Sequence, residues 1–182
     1  MKTSPTERVR GICKELELPS PNNFIFIDIA SQSLTYYKVS TPVINCAVST
    51  SRFGTGNREG SYMTPSGLHR VEEKIGEGAK PWTIFRSREN TGEIWEAGME
   101  GENQILTRIL RLRGLEQGVN AGTGIDSYER YIYIHGTNHE DSIGTPMSHG
   151  CVCMKNNDVI ALYNIVEEGT LVYISNDDVD GS

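Results

Sequence analysis

No window of this chain approaches the eighteen or so continuous apolar residues that a membrane-spanning helix requires. Met1 to Leu18 is polar and helix-forming, with no apolar core and no small-residue cleavage site, so no signal peptide is read there. Basic excess is missing as well. Seventeen Lys and Arg stand against 24 Asp and Glu, a formal charge of -7, and no basic stripe exists to follow a phosphate backbone, which excludes nucleic acid as the expected partner. Arg108, Arg111 and Arg113 fall on an apparent strand and are balanced elsewhere. Cysteine is sparse: Cys13, Cys46, Cys151 and Cys153 are scattered apart from the last pair and suggest no disulfide framework. Long apolar-periodic segments are few and internal repeats are absent.

What is present is glycine and short β-patterned runs. Nineteen glycines and the alternating segments predict a mainly β fold with few helices, a β-sandwich or mixed sheet, in one domain of 182 residues. Pro5 after Ser4, with Val9, Ile12, Cys13 and Leu16 on one face, predicts a helix over residues 5–17 that Pro19 and Pro21 end. Strands are expected at residues 24–29, 34–39, 43–48, 68–72, 82–86, 105–112 and 130–135. A helix over 158–167, capped by Asn157 and stopped by Gly169, precedes a closing strand at 170–174. Residues 50–67 read as a loop or flap. Three parts are delimited: a helical extension over 1–22, the main domain over 23–175, and an acidic, disordered tail over 176–182. Trp82 and Trp95 read as core or pocket walls, and Asp126 and Glu129 as solvated.

The chemistry concentrates late in the chain. Tyr131-Ile132-Tyr133-Ile134 is a β run that delivers His135 to the point where a strand leaves the sheet, and Gly136 permits a sharp turn. Sixteen residues beyond His135, Ser148-His149-Gly150-Cys151 sets a cysteine among small polar residues. A nucleophilic cysteine needs a base for its thiol and free backbone N–H groups for an oxyanion. Both His135 and His149 are candidates for that base, and an adjacent imidazole is the expected activator. The N–H groups of Gly150 and Cys151 are placed to converge on a carbonyl oxygen. A zinc site from His135, His139, His149, Cys151 and Cys153 has enough N and S ligands. Its spacing is poor, because Cys-x-Cys is not the usual knuckle and His135/His139 would need a helix through Gly136. A Cys151/Cys153 redox pair lacks the usual Cys-x-x-Cys spacing. No metal and no cofactor are therefore expected.

His135-Gly136-Thr137, Ser142-Ile143-Gly144, Ser148-His149-Gly150-Cys151-Val152 and Met154 resemble the catalytic signature of the L,D-transpeptidase family (YkuD, or ErfK/YbiS/YcfS/YnhG). Ile27-Asp28 with Ser31-Gln32-Ser33-Leu34 resembles the family's opening hairpin, and Thr64-Pro65-Ser66-Gly67 its Thr-Pro-x-Gly loop. Asp158 to Ile174 resembles its closing helix and strand, so that the likeness spans about residues 23–174. It implies a metal-free β-rich fold with one helix after the catalytic cysteine. It also implies attack by that cysteine on the L,D peptide bond of a peptidoglycan tetrapeptide stem or muropeptide. By position, Cys151 would be the nucleophile and His135 the base, oriented by the Gly136 carbonyl. The N–H groups of His149, Gly150 and Cys151 would form the oxyanion hole, and Ser148, Thr137 and Thr64 would contact substrate. D-Alanine leaves, and water or an amine resolves the thioester.

One position departs from the family. Arginine is common two residues after the nucleophile, where this chain has Cys153; a guanidinium there holds a carboxylate bidentately and a thiol cannot. Arg52, Arg70, Arg86 and Arg88 are the candidates to substitute. With no export signal read, the expectation is a cytoplasmic L,D-carboxypeptidase of muropeptide recycling. The alternatives are a cross-linking L,D-transpeptidase exported to the periplasm by another route and, more remotely, a non-catalytic peptidoglycan-binding or zinc-binding module.

Overall fold

Alternation along Phe24-Ile25-Phe26-Ile27 sends phenylalanines to one face of a strand and isoleucines to the other, and both faces are buried. In the computed structural model, which describes residues 3–99 and 101–176, this strand is β1 (Asn23–Asp28). Its two faces pack on two different cores. Phe24 and Phe26 meet the first helix, α1 (Pro5–Glu15), through Val9 and Cys13. Ile25 and Ile27 enter the main core. The closing strand β10 (Leu171–Ser175) divides in the same way: Leu171 and Tyr173 toward α1, Val172 and Ile174 toward the main core. The helix thus covers the back of the sheet. Its start is fixed by a capping box in which the Ser4 hydroxyl receives the Glu7 N–H at 3.3 Å and the Glu7 carboxylate receives the Ser4 N–H at 2.9 Å.

The remaining strands are β2 (Ser33–Lys38), β3 (Thr41–Ala47), β4 (Gly67–Ile75), β5 (Thr83–Arg86), β6 (Glu89–Ile94), β7 (Ile105–Gly114), β8 (Tyr133–Gly136) and β9 (Val152–Met154). One mixed sheet joins them in the order β3-β2-β1-β10-β4-β7-β5-β6, with β8 branching from β7 and β9 from β8. Only β1/β10 and β8/β9 run parallel among the described pairs. The β3 edge is largely exposed and carries Pro42, which blunts it against pairing. The main core lies between β1, β2, β10, β4 and β7 on one side and β8, β9 and the second helix, α2 (Asn156–Ile165), on the other.

The structure moves several expected elements. The last helix begins at Asn156 with Lys155 as its cap residue, so Asn157 lies inside it and caps nothing. A carboxylate does that work instead: Glu140 Oε1 accepts the Asn156 N–H at 2.7 Å, where the helix dipole favours negative charge. Strand β8 starts at Tyr133, because residues 126–131 are held in turns by the Asp126 side chain. β6 and β9 have no counterpart among the expected strands: β6 is a polar, exposed hairpin partner, and β9 is only three residues long. Trp82 and Trp95 are half-buried and stack on one another, centroids 5.4 Å apart, rather than entering the core. The tail expected over 176–182 lies outside the described residues apart from Asn176.

Candidate active site

Strand β8 ends at Gly136, and its backbone lies so close to β7 that no side chain fits there. A Cβ at Gly136 would stand 2.7 Å from the Leu106 carbonyl oxygen and would collide with Asn156 Oδ1. This close approach fixes His135 at the strand end. Asn156, itself buried, ties the following turn to α2 by donating to the Thr137 carbonyl at 2.8 Å and to Glu140 at 2.7 Å.

His135 is 2 % exposed, and its Nδ1 lies 2.7 Å from the Gly136 carbonyl oxygen. A carbonyl only accepts, so Nδ1 carries the hydrogen and Nε2 presents a bare lone pair. Burial lowers the pKa of the imidazole to about 4, with the Gly136 bond opposing the shift. At neutral pH the ring is uncharged.

Of the two thiols of this segment, one lies against that lone pair. In parallel register His135 pairs with Cys153, whose Sγ stands 3.9 Å from His135 Nε2. Cys153 is wholly buried in β9, receives the Asn103 side-chain N–H at 3.1 Å, and is raised to about 12 by burial. Cys151 is part-exposed, and its Sγ points at the Tyr131 carbonyl oxygen, 3.6 Å away. It packs on the apolar wall of Phe85, Ile109 and Tyr133. Burial raises its pKa to about 11, with the Tyr133 backbone and the Arg130 charge opposing. The expectation that an adjacent imidazole holds Cys151 as thiolate is therefore corrected. No hydrogen bond joins the two among the described residues, and both groups rest neutral. Proton transfer must accompany attack, and such contacts commonly tighten only when substrate is bound.

The loop before Cys151 is pinned from three directions. Residues 49–51 bridge it, with Ser49 exchanging backbone bonds of 2.9 and 2.8 Å with Cys153 and Arg52 N–H reaching the Ser148 carbonyl at 3.1 Å. Gln32, in the opening hairpin, holds Thr50 through both atoms of its amide at 2.8 Å. Thr64 Oγ1 donates to the Gly150 carbonyl at 3.0 Å and accepts the Ser51 N–H at 2.9 Å. Gly150 sits at φ +124, where side chains are strained.

These bonds revise the expected substrate contacts. Thr64, Thr137 and Ser148 are each fully buried, with hydroxyls engaged inside the loops. Thr137 donates to Asn103 at 2.5 Å, and Ser148 donates to the Cys151 carbonyl at 2.6 Å. They shape the backbone and do not face a ligand. Ser148 Oγ also takes the Gly150 N–H at 3.2 Å, which leaves the N–H groups of His149 and Cys151 as the unengaged oxyanion donors among the three expected. The His149 side chain turns outward to Arg52 and lies against Phe53 and Tyr62, with ring centroids 5.6 and 5.8 Å away.

Of the arginines expected to replace the missing one, Arg70 is tied to Glu72 on its own strand β4, and Arg86 on β5 to Glu93 on β6. Arg88 bonds the Tyr133 hydroxyl at 3.3 Å, and Arg52 lies 2.6 Å from His149 Nε2. Sequence reading missed Arg130, which is half-buried, donates to the Met63 and Gly56 carbonyls at 2.7 and 3.1 Å, and acts electrostatically on Cys151. It also missed Asn103 and Asn156. Nothing in their local pattern marks them, since all three act across loops distant in sequence. Among the described residues no three His, Cys, Asp or Glu side chains converge as metal ligands, and no helix is long and apolar enough to cross a membrane.

The family model of the L,D-transpeptidase catalytic domain, YkuD, matches residues 22–174. This chain belongs to that family. It is 28% identical over 159 residues to the probable L,D-transpeptidase YcfS of Escherichia coli K12, covering 86% of this chain and 45% of that protein. Over 47 residues it is 55% identical to the putative L,D-transpeptidase YkuD of Bacillus subtilis 168, covering 26% of this chain and 29% of that protein. The matches thus span less than half the length of these curated relatives. An L,D-transpeptidase structure from Xylanimonas cellulosilytica has the same fold, with a TM-score of 0.55 at 18% identity over 94% of this chain and 70% of that one. An Enterococcus faecium L,D-transpeptidase gives 0.52 at 17% identity over 85% and 50%.

Proposed function

We propose that this domain performs cysteine-dependent acyl transfer on the L,D peptide bond of peptidoglycan tetrapeptide stems, with Cys151 as nucleophile and His135 as base. One observation carries the choice of thiol: Cys151 is part-exposed beside the loop N–H groups, whereas Cys153 is sealed in a strand where no substrate carbonyl can reach it. As Cys151 Sγ attacks the scissile carbonyl carbon, its proton passes to the bare Nε2 of His135. The oxyanion is received by the N–H groups of His149 and Cys151. Collapse breaks the C–N bond, His135 returns the proton to the departing D-alanine amine, and a thioester remains on Cys151. An acceptor amine then gives a proton to His135 and forms a peptide bond with the acyl carbon as the C–S bond breaks, and His135 returns that proton to the Cys151 sulfur.

The acceptor we assign is the amine of a second stem, which makes the reaction transpeptidation. Two clefts flank His149, two residues before Cys151, and we assign them to the donor and the acceptor stem. One of about 280 Å³ is lined by Arg52, Asn103, His139 and Met147. The other, of about 200 Å³, is lined by Glu59, Tyr62, Arg130 and Tyr131. Water as acceptor is the competing outcome and would make the reaction L,D-carboxypeptidation. Incubation with purified disaccharide tetrapeptide separates the two. D-Alanine accompanied by cross-linked dimer is expected, D-alanine with tripeptide alone makes the protein an L,D-carboxypeptidase, and no D-alanine at all refutes the acyl-transfer reading.

A further inference from the structure

Arg52 is a cation without a carboxylate partner at the mouth of the site. It belongs to a protein whose acids outnumber its bases, yet it forms no ion pair among the described residues. Its Nη2 lies 2.6 Å from His149 Nε2, and its guanidinium sits over the Phe53 ring, 5.0 Å from the centroid. Arginine donates at every nitrogen and never accepts, so Arg52 donates to His149 Nε2, and its guanidinium makes no other hydrogen bond among the described residues. The backbone below is rigid, because Arg52 N–H is bonded to the Ser148 carbonyl, three residues before Cys151. The side chain faces the cleft that also contains Asn103, the residue bonded to Cys153. Glu102 lines the same cleft and does not neutralise Arg52.

We infer that Arg52 anchors a substrate carboxylate in this cleft. The inference rests on the acyl-transfer reading above and specifies its substrate as a stem with a free carboxylate near the scissile bond. A terminal D-residue places its carboxylate one residue from that bond, about 3.5 Å along the chain. His149, which bonds Arg52, is separated from Cys151 by Gly150 alone. A planar fork with open donors suits bidentate capture of a carboxylate. Two carboxylates of the stem share this chemistry: that of the terminal D-alanine, and the one on the far centre of a diaminopimelate side chain.

The test is direct binding, measured by calorimetry on the Cys151→Ala protein with Arg52 intact or changed to Gln or Lys. Three tetrapeptides serve as probes: one ending in diaminopimelate–D-alanine, the same peptide with a C-terminal amide, and one with lysine in place of diaminopimelate. With Arg52 intact, the first peptide is expected to bind about tenfold or more tighter than the amide, as a charge-assisted pair requires. Arg52→Gln should erase that preference and Arg52→Lys should keep part of it. Phe53→Leu, which removes the stacking partner, should retain it. If Arg52→Gln instead erases a preference for the free peptide over the lysine peptide, the carboxylate held is that of the diaminopimelate side chain. A preference that survives Arg52→Gln, no carboxylate preference with Arg52 intact, or no measurable binding overturns the inference. Absence of D-alanine release by the unmodified protein, with the binding preference still present, would instead refute the acyl-transfer reading alone.

Discussion

Two buried histidines in this fold share most of their environment and differ at one atom. His69 on β4 and His135 on β8 are both inaccessible and both held at about pKa 4 by burial. Each points Nδ1 at a glycine carbonyl, His69 at Gly67 at 3.0 Å and His135 at Gly136 at 2.7 Å. The far nitrogens part ways. Nε2 of His69 accepts from the Ser127 hydroxyl at 2.9 Å, and every polar atom of that ring is satisfied. Among the described residues Nε2 of His135 has only the Cys153 sulfur at 3.9 Å, a weak and distant partner. Burial and a shifted pKa therefore do not distinguish a reactive imidazole from a structural one here. A lone pair left without a close donor, on the strand end that precedes the Cys151 loop, does.

The largest expected effects separate the two rings outright. His135→Asn should lower D-alanine release by about 10² to 10⁴, the usual contribution of a positioned general base, while the melting transition stays cooperative. His69→Asn should leave the rate per folded molecule near the unmodified value and reduce stability by about 1–3 kcal/mol, because buried partners at Gly67 and Ser127 lose their bonds. If His69→Asn abolishes turnover in a folded protein, the distinction collapses.

The next effect concerns both rings together. An unfolded histidine titrates near 6.5, and each of these binds its proton only near pH 4 when folded. Between those values the unfolded chain holds more protons. Stability is then fully present above pH 6.5 and declines as pH falls toward 4, with a slope approaching two protons per molecule from these groups. Denaturant titrations across this window should show that slope, and either His→Asn change should remove about one proton from it. A flat profile would show that neither ring is held neutral.

Much of this arrangement was visible in the sequence, and for identifiable reasons. Strand periodicity marked β1, β2, β4 and β7, because their alternation faces packed layers on both sides. The Ser4-Pro5 start marked α1. The pairing of His135 with a cysteine loop was legible because both lie in one short stretch punctuated by glycine. His69 is not legible in this way, since a histidine alternating on a strand has no local mark of the Ser127 hydroxyl that completes it. The inward engagement of Thr64, Thr137 and Ser148 was hidden for a related reason. A hydroxyl beside a cysteine loop reads the same in sequence whether it faces a cleft or, as here, a neighbouring carbonyl. The rotation of Cys151 toward Tyr131 and the seating of Cys153 under His135 both depend on the register of β9, a strand too short to carry a pattern.

The smallest effect addresses the two thiols. Cys153→Ala removes the weak sulfur contact to His135 and the acceptor for Asn103, and should change turnover by only a few-fold, read as D-alanine released per folded molecule. A loss comparable to His135→Asn would place Cys153 in the reaction itself.

Carbapenem acylation, mapped by fragment mass spectrometry in the unmodified protein and in the Cys151→Ala and Cys153→Ala variants, tests the central assignment most directly. The adduct is expected on Cys151, to persist in Cys153→Ala and to vanish in Cys151→Ala. An adduct on Cys153, or one that survives Cys151→Ala, would contradict the account.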